Sequence, residues 1–140
     1  MKICICCSLS FSDEVKRIAK ELEEMGHEVL LPNGILLDVM KDPNFDPVAA
    51  KTCNGYNAIR DHFNKILESD AVLICNFTKR RIKNYIGANT FLEAGFAYYH
   101  EKAIYVYNPL PNQKYIHDEI YSFGVKVLNG DLTKFSVGSF

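Results

Sequence analysis

What most constrains this chain is a set of five short apolar runs separated by stretches of helical periodicity. The runs are KICICC (Lys2 to Cys7), HEVLLP (His27 to Pro32), AVLICN (Ala71 to Asn76), AIYVYN (Ala103 to Asn108) and VKVL (Val125 to Leu128). Nearly continuous apolar segments of this length suit strands buried on both faces. Between the first two, Asp13 to Met25 places Val15, Ile18, Ala19, Leu22 and Met25 on one helical face and Lys16, Arg17, Lys20, Glu21, Glu23 and Glu24 on the other. Gly26 then stops the helix. A second helix, about Asn57 to Glu68, carries Ile59, Phe63 and Ile66 at helical spacing. Parallel neighbouring strands need crossover connections, and helices supply them.

The expected fold is therefore α/β: a doubly wound, five-stranded parallel sheet of the flavodoxin or Rossmann-like kind. The expected strand order is 2-1-3-4-5, with Lys2–Cys7 and Ala71–Asn76 adjacent at the centre. Asn33 to Gly55 interrupts the alternation with PNG, DPNFDP and CNG around a brief apolar ILLDVM, and reads as a long surface loop with a short helix, a candidate lid.

At 140 residues, 48% of them hydrophobic, the chain can close one substantial core but hardly two, so residues 1–140 are expected to form a single domain. A net charge of -1 argues against a global footprint for a nucleic-acid polymer or a membrane surface. The opening MKICICCSLS has only a brief apolar run before a polar helix start, which reads as neither signal peptide nor membrane span, and a cytoplasmic protein is expected. The five cysteines, Cys4, Cys6, Cys7, Cys53 and Cys75, are odd in number and mostly in apolar runs, as fits free thiols in a reducing compartment. Cys4 and Cys7 have C-x-x-C spacing, but an offset of three in a strand points them to opposite faces, and no second pair exists. No metal site is expected.

In a doubly wound sheet, strand ends and the starts of the following helices share one edge, where ligands bind. Ser8, Ser10 and Ser12 reach that edge after the first strand, Arg60 to His62 early in the second helix, and Asn89, Thr90 and Glu93 after the third strand. Two readings of Glu93 stand on spacing alone. Thr90-Phe-Leu-Glu93 matches a T-x-x-E capping box; a carboxylate at the ligand edge can also attack an electrophilic carbon or stabilise a cation. The run TKRRIK brings Lys79, Arg80, Arg81 and Lys83 into the preceding loop, either as a solvated charge run or as a phosphate clamp helped by Ser8 and Ser10. The absence of G-x-G-x-x-G and G-K-[ST] disfavours dinucleotide and ATP cradles, and no cofactor is expected.

ILESDAVLICN followed by YIGANTFLEAGFAYYHEKAIYVYN resembles the nucleoside 2-deoxyribosyltransferase superfamily, which includes deoxyribosyltransferases and nucleoside 5'-monophosphate N-glycosidases. The resemblance covers most of the chain and is strongest from Arg60 to Asn108. The family pattern is G-x-x-x-E-x-G-x-A and then K-x-I; here Gly87 leads through Ala88, Asn89, Thr90 and a hydrophobic pair to Glu93, two residues further than that spacing, followed by Gly95, Ala97, Lys102 and Ile104. ICICCSLSF, with Cys7, Ser8, Ser10 and Phe11, occupies the place of the family's first strand and sugar or phosphate loop.

The resemblance implies N-glycosidic cleavage or (deoxy)ribosyl transfer on a nucleoside or nucleoside 5'-monophosphate. Glu93 would be the nucleophile and the molecule a homodimer or larger; in the phosphate-clamp reading, Lys79 and Arg81 would lie on the substrate side. Family members carry an aspartate eight residues before the strand's Asp, and counting back from Asp70 gives His62, with Asp61 beside it. Either His62 has taken over that role, the helix register differs by one, or activity has changed. The second functional expectation is accordingly a catalytically inactive nucleotide-binding or regulatory module on the same fold.

Overall fold

The computed structural model describes residues 1–47 and 57–135. Among these, five parallel strands pair in the order β2-β1-β3-β4-β5: β1 Lys2–Cys7, β2 Glu28–Leu30, β3 Ala71–Cys75, β4 Ala103–Val106 and β5 Lys126–Val127. The expected order and the central β1–β3 pairing both stand, with Ile3 opposite Ala71 and Cys7 opposite Cys75. Burial explains which runs were easiest to recognise. β1 from Ile3 to Cys7 and all of β3 are buried, whereas the edge strands β2 and β5 are short and partly open.

The strand pleat sends alternate residues to opposite faces. Ile3, Ile5, Cys7, Ala71, Leu73 and Cys75 pack with helix α1, Ser12–Glu24, through Val15, Ile18, Ala19 and Leu22. Asp13 and Glu14 sit in its first turn, where the helix dipole favours negative charge. The helix ends at Gly26, whose φ of +93° is left-handed backbone that glycine adopts without strain.

Cys4, Cys6, Val72, Ile74, Ile104 and Val106 face the other way. There they meet Ile66 of α3 (Ala58–Glu68), Ala94 and Ala97 of α4 (Ala88–Tyr99) and Ile120 of α5 (His117–Ser122). Because α1 covers one face and α3 and α4 the other, the chain reverses its winding between β1 and β3. A crevice opens at their carboxyl ends.

The segment expected to be a loop with a short helix begins with α2, Asn33–Leu36, and a 3-10 turn, Val39–Lys41. Lys16 of α1 pairs with Asp38 and anchors this segment. Its stretch from residue 48 to 56, including Cys53 and Gly55, lies outside the described residues. Among the described residues, no helix is long and apolar enough to cross a membrane.

Candidate active site

A cavity of about 940 Å³ occupies the carboxyl edge of the sheet, bounded by the end of β1, the α2 segment and the starts of α3 and α4. That volume lies in the range of small-molecule pockets. Cys7, Ser8 and Ser10 reach it from β1 and the turn after it, His62 from α3, and Gly87, Asn89 and Glu93 from α4.

The start of α4 bears on the capping reading of Glu93. The N-cap is Gly87, and no side chain among the described residues caps the helix. Thr90 therefore lies inside the first turn and Glu93 in the second, too far along to reach back to the N-cap amide. The capping box does not form. Glu93 instead projects into the cavity one turn beyond Asn89, with its side chain 12% exposed. Phe63 of α3 stacks on Phe96 of α4, ring centroids 4.2 Å apart, and this contact helps bring the two helices together. Glu93 Oε2 and His62 Nε2 lie 3.7 Å apart.

His62 is buried. Its Nε2 donates to the Ile5 carbonyl at 2.9 Å and lies 3.4 Å from Cys4 Sγ and 3.7 Å from Cys6 Sγ. Nδ1 has no hydrogen-bond partner among the described residues. Burial pushes the Glu93 carboxyl up to about 7, opposed by the His62 charge and assisted by Cys4. Burial pulls His62 down, but Cys4, Glu93 and the Ile5 carbonyl together carry it to about 9. Hydrogen bonding from Cys6 is the largest influence on Cys4, lowering it to about 6 against burial, with further help from His62 and Lys65. The result is a buried, hydrogen-bonded cluster in which proton positions are mutually dependent.

Asp61 turns elsewhere. Its carboxylate accepts from Asn33 Nδ2 at 2.8 Å and pairs with Lys65 at 3.6 Å, and Lys65 in turn donates to the Leu31 carbonyl and Asn33 Oδ1. Asp61 thus braces the start of α2, about 100° around the helix from His62.

The basic loop divides in two. Lys79 and Ile82 exchange backbone hydrogen bonds across a tight turn, with Arg80 and Arg81 at φ of +52° and +63°. Lys79 points inward, donating to Ser8 Oγ at 2.9 Å, while Ser8 and Ser10 hydroxyls lie 2.8 Å apart. Burial and the adjacent Arg80 charge lower the Lys79 ammonium from its ordinary value. Lys79 and Arg80 line the cavity; Arg81, on the outer side of the turn, is exposed and outside the cavity wall.

Phe11 also lies outside the wall, buried in the α1-side core with its ring edge-on to Phe77. Tyr85 lines the cavity, with Lys79 Nζ 5.6 Å from its ring centroid. A Cβ at Gly87 would meet that ring at 3.3 Å, so the glycine makes room for it. Gly95 is less constrained: the nearest described atom to a Cβ there is Phe123 Cζ at 3.8 Å.

The loop is held from behind. Asn76 accepts from the Asn108 amide and donates its Nδ2 to the carbonyls of Asn84, Asn108 and Pro109, while Gln113 pairs with both backbone groups of Ile86. Sequence reasoning missed Cys4 and Cys6 as neighbours of His62. The available signal was C-x-C: two cysteines at an offset of two in a strand share a face.

No protein-family model matches the chain, and no curated protein does. Solved structures match it in shape. A 2-deoxyribosyltransferase from Bacillus psychrosaccharolyticus aligns with a TM-score of 0.52 and 16% identity, over 78% of this chain and 73% of its own. The CMP N-glycosidase BcmB of Clostridium botulinum aligns with a TM-score of 0.52 and 17% identity, over 91% of this chain and 87% of its own. FerB, a flavoenzyme NAD(P)H:acceptor oxidoreductase from Paracoccus denitrificans, aligns with a TM-score of 0.50 and 15% identity, over 90% and 74%. At these identities the shared property is the fold, and FerB illustrates that the fold hosts other chemistry. The deoxyribosyltransferase and the N-glycosidase are enzymes of the kinds named by the sequence resemblance.

Proposed function

We propose that this protein is an enzyme that cleaves or transfers the N-glycosidic bond of a nucleoside or nucleoside 5'-monophosphate, with Glu93 as nucleophile. The observation that carries this reading is the largely buried Glu93 carboxylate, facing His62 at 3.7 Å in a cavity at the carboxyl edge of the sheet. A carboxylate so shielded from water favours attack on a developing cation over simple solvation.

In the first step a Glu93 oxygen bonds to C1' as the C1'–N bond breaks through an oxocarbenium-like state. The electron pair leaves with the nucleobase, which takes up a proton. Water, or a second base, then attacks C1' and releases Glu93 from the glycosyl ester. His62, held by the Ile5 carbonyl, orients the carboxylate and favours its ionised form. Asn89 and Gly87 border the sugar, with Cys7 at the end of β1 behind it. Lys79, Ser8 and Ser10, whose polar groups converge, form with Arg80 in the same wall the side suited to a 5'-phosphate. Phe11 and Arg81, outside the cavity wall, are assigned no contact with the substrate. Asp61 positions Asn33 and does not touch substrate.

The test is to incubate purified protein with a panel of nucleosides and nucleoside monophosphates and measure free base by chromatography. Base release from at least one member is expected, and faster from its monophosphate. Binding of panel members without any base release would favour a nucleotide-binding module.

A further inference from the structure

We infer that Cys4, Cys6 and His62, with Glu93 as fourth ligand, form a site for a thiophilic metal ion of the zinc class, and that filling it withdraws Glu93 from glycosyl chemistry. The site follows from backbone geometry. Residues 4 and 6 of β1 project from the same face of the sheet, and α3 lays the His62 ring against both thiols. The two sulfurs and His62 Nε2 all lie within 4.8 Å of one another.

The two sulfur–nitrogen separations match edges of a tetrahedral shell. Zinc–sulfur bonds of about 2.3 Å and zinc–nitrogen bonds of about 2.0 Å place S and N about 3.5 Å apart at tetrahedral angles. The two sulfurs lie 3.4 and 3.7 Å from Nε2. Glu93 Oε2 lies 3.7 Å from the same nitrogen but outside the set of donors mutually within 4.8 Å, so its side chain must swing toward the sulfurs to complete the shell. Four donors of two thiols, one imidazole and one carboxylate suit a borderline-soft ion such as zinc better than a hard one such as magnesium.

Cys4 and Cys6 are fully buried among apolar neighbours, so exchange of a bound ion would be restricted on that side. His62 and Glu93 border the cavity and provide the route in. Ligation costs the Nε2 proton and its hydrogen bond to the Ile5 carbonyl, and because that oxygen lies 2.9 Å away on the side of the proton, the imidazole must turn off it to bind the ion. Two thiolates and a carboxylate around a dication offset that loss. The expectation of no metal considered Cys4 with Cys7, which indeed face apart; the pair that converges is Cys4 with Cys6.

The loss of activity on loading rests on the proposed role of Glu93, whereas the site itself does not. The experiment titrates the reduced full chain with Co²⁺ and records its absorption. Thiolate-to-cobalt charge transfer with strong tetrahedral bands is expected, saturating at one equivalent and reversed by Zn²⁺. X-ray absorption of the zinc-loaded native protein should count two sulfurs and two nitrogen or oxygen atoms, which requires no variant. The weak spectrum of six-coordinate cobalt, or a shell without sulfur, would overturn the site. Cys4→Ala and Cys6→Ala, checked for folding by circular dichroism, should each diminish the thiolate band. Zn²⁺ should suppress base release and a chelator restore it, and Cys6→Ala should lose the suppression. A sulfur-ligated zinc that leaves base release unchanged would overturn the withdrawal of Glu93. Absence of base release from metal-free protein would count against the enzymatic reading, while the cobalt spectrum would still decide the site.

Discussion

Glu93 and His62 face each other at the cavity, and for a nucleophilic Glu93 their environment makes the rate sensitive to pH. A nucleophilic carboxylate must be ionised, and burial holds Glu93 near 7, above its ordinary range. Base release from metal-free protein should therefore rise with pH through neutrality. It should then level off, because deprotonation of His62 near 9 leaves Glu93 ionised. Because the two groups face each other, the rising limb of a kcat/KM profile belongs to the pair. A profile flat across neutrality would contradict a desolvated Glu93 nucleophile. Gly95, two residues along, gives an independent check on the packing of α4. A methyl group placed on Gly95 would lie 3.8 Å from Phe123 Cζ, so Gly95→Ala fits without displacement. It should stabilise the protein by about 1 kcal/mol, the difference in helix propensity, measured by denaturant unfolding; destabilisation would show that the space is filled.

At the scale of elements, the loop between β3 and α4 turns a charged sequence into two different surfaces. The tight turn at Lys79–Ile82 directs Lys79 to Ser8 and leaves Arg81 outside. Lys79→Met should therefore reduce the preference for monophosphates over nucleosides by about tenfold or more, as expected for losing a charge-assisted hydrogen bond of about 1.5–3 kcal/mol. Nucleoside turnover should change little. An unchanged preference, measured as the ratio of kcat/KM values, would remove Lys79 from phosphate recognition. This division was not legible in TKRRIK, because it depends on a left-handed turn at two arginines rather than on composition. The buried strands β1 and β3 and the amphipathic α1 were legible, since continuous burial and helical periodicity leave direct traces in sequence. The start of α4 was ambiguous: Thr90 and Glu93 have capping-box spacing, yet the helix begins after Gly87. The Cys4–His62 contact joins residues 58 apart and depends on how α3 crosses the sheet, which local patterns do not encode.

For the whole molecule, sheet order brings residues from Cys7 to Glu93 to one crevice, and the polar clasp behind β3 and β4 holds the loop that borders it. Gln113 satisfies the buried Ile86 amide and carbonyl. Gln113→Ala should cost about 1–3 kcal/mol of stability, the penalty for unpaired buried polar groups, and should weaken ligand binding as Gly87 and Tyr85 lose their support. A variant with native unfolding and native affinity would show that this clasp is dispensable. The fold is shared with enzymes of different chemistry, so the decisive test lies at Glu93. The most direct measurement compares ligand affinity and base release in native protein and Glu93→Gln, with folding verified for both. A folded variant is expected that still binds nucleoside or nucleotide but releases base slower by orders of magnitude, because the amide cannot form the glycosyl ester. Base release at the native rate from Glu93→Gln would contradict a nucleophilic Glu93.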